Sequence, residues 1–554
     1  MSYPQANWWR QAVVYQIYPK SFQDSGDKGT GDLQGIIRRL DYLQELGVDA
    51  LWLTPIYSSP QVDNGYDIAD YYAIDPAFGT MQDFDQLVTA CKQRGLHLIM
   101  DMVFNHTSTE HSWFKTAIQD PQSRFRDFYI WRNPVNGQEP NNWQSKFGGN
   151  AWAFDPQSGQ YYLHLFSEQQ ADLNWENPEV REEIKKVLHF WADKGVDGFR
   201  LDVINLISKQ QDFCDDTSGD GRRFYTDGPR VHEYLQELAH DVFLPRGCMT
   251  VGEMSSTTLD HCQRYSRADG RELSMVFNFH HLKVDYPNGE KWQLAEPDFI
   301  ELKKLFADWQ NGLHQQGWSA LFWCNHDQPR IVSRFGHEGE YREKSAKMLA
   351  TVLHMLQGTP YIYQGEEIGM TNPHFQQIDD YRDVESLNLW LANQQQQIPS
   401  SQTLTVLAAR SRDNSRTPIP WDSSDTAGFS QAVPWIPFGD NVTTINVAAA
   451  LENKNSVFYC YQQLIRLRKQ HPVIVNGNYQ DLLPDHPAIW CYQRDDGNRK
   501  LLVIANLSEN SIEFELPDAW KNIDSECLLH NNETPPLLDE RILTPYEVSV
   551  WISR

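Results

Sequence analysis

The sequence predicts an α/β fold: eight parallel strands closing into a (β/α)8 TIM barrel, a small domain inserted after the third strand, and a C-terminal antiparallel β-domain. Three observations carry this. Short β-rich apolar runs recur eight times, amphipathic helical segments separate them, and both patterns fail at about 107–171 and again after 475. The runs are VVYQIYP, ALWLTP, HLIMDMVF, GFRLDVI, CMTVGEM, SMVFNF, ALFWCNHD and PYIYQGEEI. Each is apolar on both faces, as a parallel strand covered by helices must be. Between them, segments such as EEIKKVLHFWADKG, RVHEYLQELAHDVF and DFIELKKLFADWQNGL repeat apolar residues three and four apart. An open doubly wound sheet is the alternative, and eight units favour closure.

The first interruption, WRNPVNGQEPNNWQSKFGGNAW and its flanks, is rich in Trp, Asn, Gly and Pro and too long for an ordinary connection. It is expected to be an inserted B-domain at 107–171, with the barrel formed by 1–106 and 172–474. In the second, AIWCYQR, KLLVIANLS, IEFELP and YEVSVWI alternate with turn residues, which marks 475–554 as the β-domain.

Bulk properties exclude several function classes. Against 48 basic residues stand 74 acidic ones, a formal charge of −26. Nucleic acid and anionic membrane surfaces, which need a basic footprint, are disfavoured. The eight cysteines include no CxxC pair, and runs such as ALFWCNHD use cysteine as a small buried hydrophobe. The N-terminal stretch has no signal-peptide pattern, and no apolar run is long enough to span a membrane. A cytoplasmic protein, monomeric or weakly oligomeric, is expected.

Functional side chains of such a barrel stand at the C-terminal ends of its strands. Here those ends carry Asp101 and His106, then Arg200 and Asp202, then Glu253, then His326 and Asp327. Arg200 and Asp202 are two apart and share a side of their strand. Paired carboxylates with an arginine suit glycoside hydrolysis, one attacking the anomeric carbon and one donating a proton. Abundant aromatics (19 Trp, 24 Tyr, 26 Phe) suit sugar stacking.

DMVFNH, GFRLD, the glutamate of VGEM, and NHD, in that order, resemble the four signature regions of glycoside hydrolase family 13, the α-amylase family; QADLNW resembles its fifth. The resemblance implies Asp202 as nucleophile, Glu253 as general acid/base and Asp327 as transition-state stabiliser. It implies that Arg200, His106 and His326 hold a terminal glucose, with Phe166 beside them and Tyr66 stacking. QVDNGYD resembles the exo-acting oligosaccharidases, whose glucose pocket is closed by an Asp–Arg pair; Asp63 and Arg412 match it. Val203 resembles the oligo-1,6-glucosidase branch. Members of this branch often hold calcium in the loop after the first strand, but Gly26 and Lys28 stand at the ligand positions of Asp24 to Asp32, so neither metal nor other cofactor is expected.

A second departure concerns the substrate. Where 1,6-glucosidases place acidic residues after the sixth strand, this chain reads FHHLKVDYPNGEKW. His280, His281, Lys283 and Lys291 are candidate phosphate ligands, and within a Debye length of about 8 Å they outweigh the distant acidic surface. The expected substrate is a phosphorylated disaccharide with one free terminal glucose. Arg222 and Arg223 are possible additions. An exo-α-glucosidase or sucrose isomerase acting on neutral sugars is the alternative.

Overall fold

The computed structural model describes residues 7–539 and 542–554. Eight parallel strands form the central sheet: β1 (Val14–Ile17), β2 (Ala50–Leu53), β3 (His97–Val103), β4 (Gly198–Asp202), β5 (Met249–Glu253), β6 (Met275–Phe277), β7 (Ala320–Leu321) and β8 (Thr359–Tyr363). Each pairs with its neighbour in sequence, β1 also pairs with β8, and a single parallel bridge from Val276 to Ser319 closes the ring between β6 and β7. The apolar run read as the seventh strand is longer than the strand it forms. After Leu321 the chain leaves the ladder, yet Phe322, Trp323 and Cys324 stay buried.

The barrel interior is packed. Trp52, Phe277 and Tyr361 meet edge-on or tilted, at centroid separations from 4.6 to 6.0 Å, and the Arg200 guanidinium lies 5.1 Å from the Trp52 ring. These four residues come from β2, β4, β6 and β8, the alternate-strand layer that a closed eight-stranded barrel requires. Arg200 is thus the charged member of the layer beneath the mouth.

The insert leaves and re-enters at one place, because His106–Ser108 pairs antiparallel with Gln170–Asp172. Within it, Trp131–Arg132, Gln160–Leu163 and Trp152–Asp155 make a three-stranded antiparallel sheet. It shares a separate apolar core with the loop after β4, in which Trp143, Trp152 and Leu165 pack with Phe213, Phe224 and Tyr225. The C-terminal sheet is antiparallel: β9 (Asn478–Asp481), β10 (Ile489–Asp495), β11 (Lys500–Asn506), β12 (Ser525–His530) and β13 (Val548–Ser553), ordered 9-10-11-13-12. Among the described residues no helix is long and apolar enough to cross a membrane.

Candidate active site

Strand ends deliver the central carboxylates. Asp202 is the last residue of β4 and Glu253 the last of β5. Arg200 reaches both: one guanidinium nitrogen donates to Asp202 (2.6 Å) and to Asp101 (2.8 Å), the other to Glu253 (2.5 Å). Directly after Asp202, Val203 adopts the left-handed backbone (φ 34°), an unfavourable conformation for a β-branched residue. That turn aims the Val203 N–H at the Glu253 carboxylate, 3.3 Å away.

Three carboxylates around one guanidinium, two of them buried, cannot all be ionised without cost. Burial raises the Asp202 carboxyl well above the ordinary range, Arg200 opposes this, and repulsion from Glu253 and Asp101 adds to it. Burial likewise raises Asp101 to about 6. Crowding of like charge thus works against full ionisation of the cluster, and retaining glycoside hydrolysis needs one carboxylic acid beside one carboxylate.

Asp327 behaves in the opposite sense. Burial pushes it up, but His326, Arg412 and Arg416 hold it well below the usual carboxylate range. Its Oδ1 accepts from Arg416 (2.7 Å) and Arg412 (3.3 Å). Arg412 also meets Asp63 (3.2 Å) and Asp383 (2.5 Å), so the Asp63–Arg412 pair is formed and closes one side of the site. Burial raises Asp63 to about 6 despite Arg412.

The sugar-binding candidates gather around this wall. The Tyr66 ring lies parallel to the His326 ring at 5.2 Å, and its hydroxyl donates to Asp101 (2.9 Å). The Phe166 ring is 5.1 Å from that of His106. Burial lowers His106 to about 4 and His326 to about 3, so both imidazoles are neutral and act as hydrogen-bonding groups. Gln16 donates to His326 Nδ1 (2.8 Å), which leaves the proton on Nε2. Among the described residues that buried Nε2 has no hydrogen bond of good geometry, and Asp327 Oδ2 lies 3.3 Å from it.

The proposed phosphate ligands do not come together as a set. His281 turns inward: its Nε2 lies 2.8 Å from the Phe322 carbonyl, its ring packs against Phe306, Phe322 and Trp323, and burial lowers it to about 3. It is a neutral packing residue, not an anion ligand. Lys291 is compensated, its ammonium paired with Glu385 at 2.5 Å on the Arg412 side of the site. The half-buried His280 ring packs near Trp309 (5.4 Å), and burial followed by the Lys283 charge lowers its pKa. Of the four, Lys283 is the exposed one, and among the described residues it has no carboxylate within 4.0 Å. Two residues before it His281 is buried, and two after it Asp285 is clamped by Arg334 (2.7 Å) and Arg410, so the loop is pinned on either side and Lys283 points out. Arg223 pairs with Asp216 (3.0 Å), whereas the charge of Arg222 acts on Lys283.

In the loop after β1 the carboxylates are engaged by the chain itself. Asp24 Oδ1 accepts from the Gly26 N–H (2.8 Å), and Oδ2 accepts from the N–H groups of Lys28 (2.9 Å) and Gly29 (2.8 Å) and from the Ser430 hydroxyl (2.6 Å). Asp32 accepts from the Gly35 N–H and the Ser25 hydroxyl, each at 2.7 Å. Gly26 and the exposed Lys28, at alternate positions of this loop, bring no side-chain oxygen to it.

Sequence reasoning missed Asp383 and Arg416, which complete the charge balance around Arg412 and Asp327, and Gln170, which donates to Asp63 (3.1 Å). Gln170 opens QADLNW, so a signal was present. Asp383 and Arg416 carried none.

Comparison with known proteins agrees with this geometry. Residues 16–477 match the α-amylase catalytic domain, and 489–550 match the C-terminal domain of the α-amylase SusG. The chain is 61% identical to a trehalose-6-phosphate hydrolase of Escherichia coli K12, over 99% of both chains. It is 50% identical to an oligo-1,6-glucosidase of Parageobacillus thermoglucosidasius, over 98% of both. The crystal structure of Bacillus licheniformis trehalose-6-phosphate hydrolase superposes with a TM-score of 0.95 at 55% identity, covering 99% of this chain and 100% of that one. Signature motifs, barrel, carboxylate cluster and full-length likeness converge: this chain belongs to the α-amylase family, glycoside hydrolase family 13, and is a glycoside hydrolase.

Proposed function

We propose that the enzyme hydrolyses trehalose 6-phosphate to glucose and glucose 6-phosphate with retention of configuration. Asp202 attacks the anomeric carbon of the unphosphorylated glucose while Glu253 gives its proton to the departing oxygen. Glucose 6-phosphate leaves and a glucosyl ester remains on Asp202. Glu253, now ionised, takes a proton from water, the resulting hydroxide oxygen bonds to the same carbon, and the ester bond to Asp202 breaks. Asp327 stays ionised throughout, beside the carbon that gains positive charge. Neutral His106 and His326 bind the glucose hydroxyls, and the Asp63–Arg412 wall limits that side to one sugar.

The observation that supports the phosphate half of this reading is Lys283, exposed and without a carboxylate partner among the described residues, on a loop pinned by the buried His281 and Asp285. The 1,1 linkage is supported by likeness to the two trehalose-6-phosphate hydrolases. Glucose release from trehalose 6-phosphate, trehalose and isomaltose, measured side by side at neutral pH, tests it. Strong preference for the phosphorylated sugar is expected; preference for isomaltose would place the enzyme with the oligo-1,6-glucosidases instead.

A further inference from the structure

We infer that Lys146, carried by the inserted segment, is a specificity-determining residue that reads the phosphate together with Lys283 and Arg222. The inference deepens the proposed function and rests on it.

The argument starts with how the insert is held. Its 141–144 stretch is zipped to the loop after β4. Asn142 exchanges hydrogen bonds with the Asp216 backbone (2.7 and 2.8 Å), the Trp143 indole donates to the Cys214 carbonyl (3.0 Å), and the Gln144 N–H donates to the Asp220 carbonyl (3.0 Å). Trp143 stacks on Phe224 at 5.9 Å with the rings 9° from parallel. Gly221, at φ 89°, lies so close that any Cβ there would overlap the Trp143 ring. The next turn is pinned as well: the Lys146 N–H donates to the Leu165 carbonyl (2.9 Å) and the Ser145 hydroxyl to the Phe166 carbonyl (2.7 Å). Lys146 and Arg222 are therefore presented by two loops that behave as one body.

Lys146 Nζ reaches Ser255 Oγ at 3.4 Å, two residues beyond the proton donor Glu253. It stands on the side where the leaving group must lie, since Glu253 protonates that group and the Asp63–Arg412 wall blocks the other side. The titratable groups around it come from three elements: Arg222, Asp220 and Tyr225 (ring 5.4 Å away) after β4, Lys283 after β6, and Glu253 on β5. Among the described residues neither Lys146 nor Lys283 has a carboxylate within 4.0 Å, while Arg222 pairs with Asp220 at 3.0 Å. A half-buried ammonium without a counter-ion costs folding free energy, and an arriving anion would offset that cost. Three cations from three separate segments, only one of them paired with a carboxylate, supply the charge that a dianion would meet.

The test compares wild type with Lys146→Met, Lys146→Gln and Lys146→Arg on trehalose 6-phosphate and on p-nitrophenyl α-glucoside, a neutral sugar with the same glucosyl half. Each readout is the ratio of kcat/KM for the two substrates. Met and Gln should lower that ratio by roughly 10- to 100-fold, through KM for the phosphorylated sugar, and Arg should restore most of it. Gln keeps a hydrogen bond to Ser255 within reach and so separates charge from packing. A wild-type ratio in both neutral variants overturns the inference and leaves the substrate reading intact. A wild-type enzyme indifferent to the phosphate overturns both.

Discussion

The two sides of the active site handle charge in opposite ways. On the glucose side Arg412 and Arg416 face Asp63, Asp327 and Asp383, and Lys291 faces Glu385, so each of these three cations has its carboxylate. On the leaving-group side Lys283 and Lys146 have none among the described residues. On the proposed reading, the difference teaches how one pocket takes a neutral sugar at one end and an anion at the other. Where the substrate is neutral, charges are cancelled in advance and the balanced dipoles and neutral imidazoles bind hydroxyls. Where it is charged, the protein leaves cations uncompensated and the substrate completes them.

Breaking the balanced side should have the largest effect and should not discriminate between substrates. Arg412→Ala leaves Asp63 buried without its cation and Asp383 with Arg416 alone, at 3.4 Å. It should destabilise the fold by about 3–5 kcal/mol, read by denaturant unfolding, and lower kcat/KM by roughly 10²-fold for trehalose 6-phosphate and p-nitrophenyl α-glucoside alike. Loss confined to the phosphorylated sugar would mean that the balanced side also reads the anion.

Lys283→Ala should act on one substrate only. We expect KM for trehalose 6-phosphate to rise roughly 10- to 100-fold, with a far smaller change for the neutral glucoside. Equal losses on both would remove Lys283 from the phosphate site.

pH sharpens the same contrast. Burial, then the charge of Arg222, lowers Lys146 to about 8. A lysine is charged below its pKa and neutral above it, so affinity for the phosphorylated sugar should be full near pH 7 and decline as pH rises through about 8. The KM for trehalose 6-phosphate should increase by at most about tenfold per pH unit in that range, while KM for the neutral glucoside stays flat. Parallel KM profiles for the two substrates would contradict this.

The smallest effect concerns His281. His281→Leu removes the donor to the Phe322 carbonyl and should cost about 1–3 kcal/mol in a thermal or denaturant melt. It should leave the preference for phosphate where it was. A lost preference would return His281 to the phosphate site.

What the sequence discloses follows from how local each feature is. The eight strands were legible because buried parallel strands are apolar on both faces, and Asp202 and Glu253 were legible because each ends its strand. The shortness of β7 was not, since Phe322–Cys324 stay buried after leaving the ladder and hydrophobicity alone does not separate the two states. FHHLKVD displayed positive charge but not its partners. Glu385, which neutralises Lys291, lies 94 residues downstream, and the inward turn of His281 depends on the Phe322 carbonyl 41 residues away. Lys146 was least visible. It sits in a Gly- and Asn-rich stretch without periodicity, and its place at the mouth depends on a zipper spanning some 70 residues of sequence, including the Trp143–Cys214 bond at a separation of 71.

The most direct test of the account measures binding without turnover. Asp202→Asn removes the nucleophile while keeping its shape, so intact sugars can be titrated by calorimetry at pH 7. The charge asymmetry requires trehalose 6-phosphate to bind at least about tenfold tighter than trehalose, with the advantage shrinking as salt is raised. Equal affinities for the two sugars would contradict it.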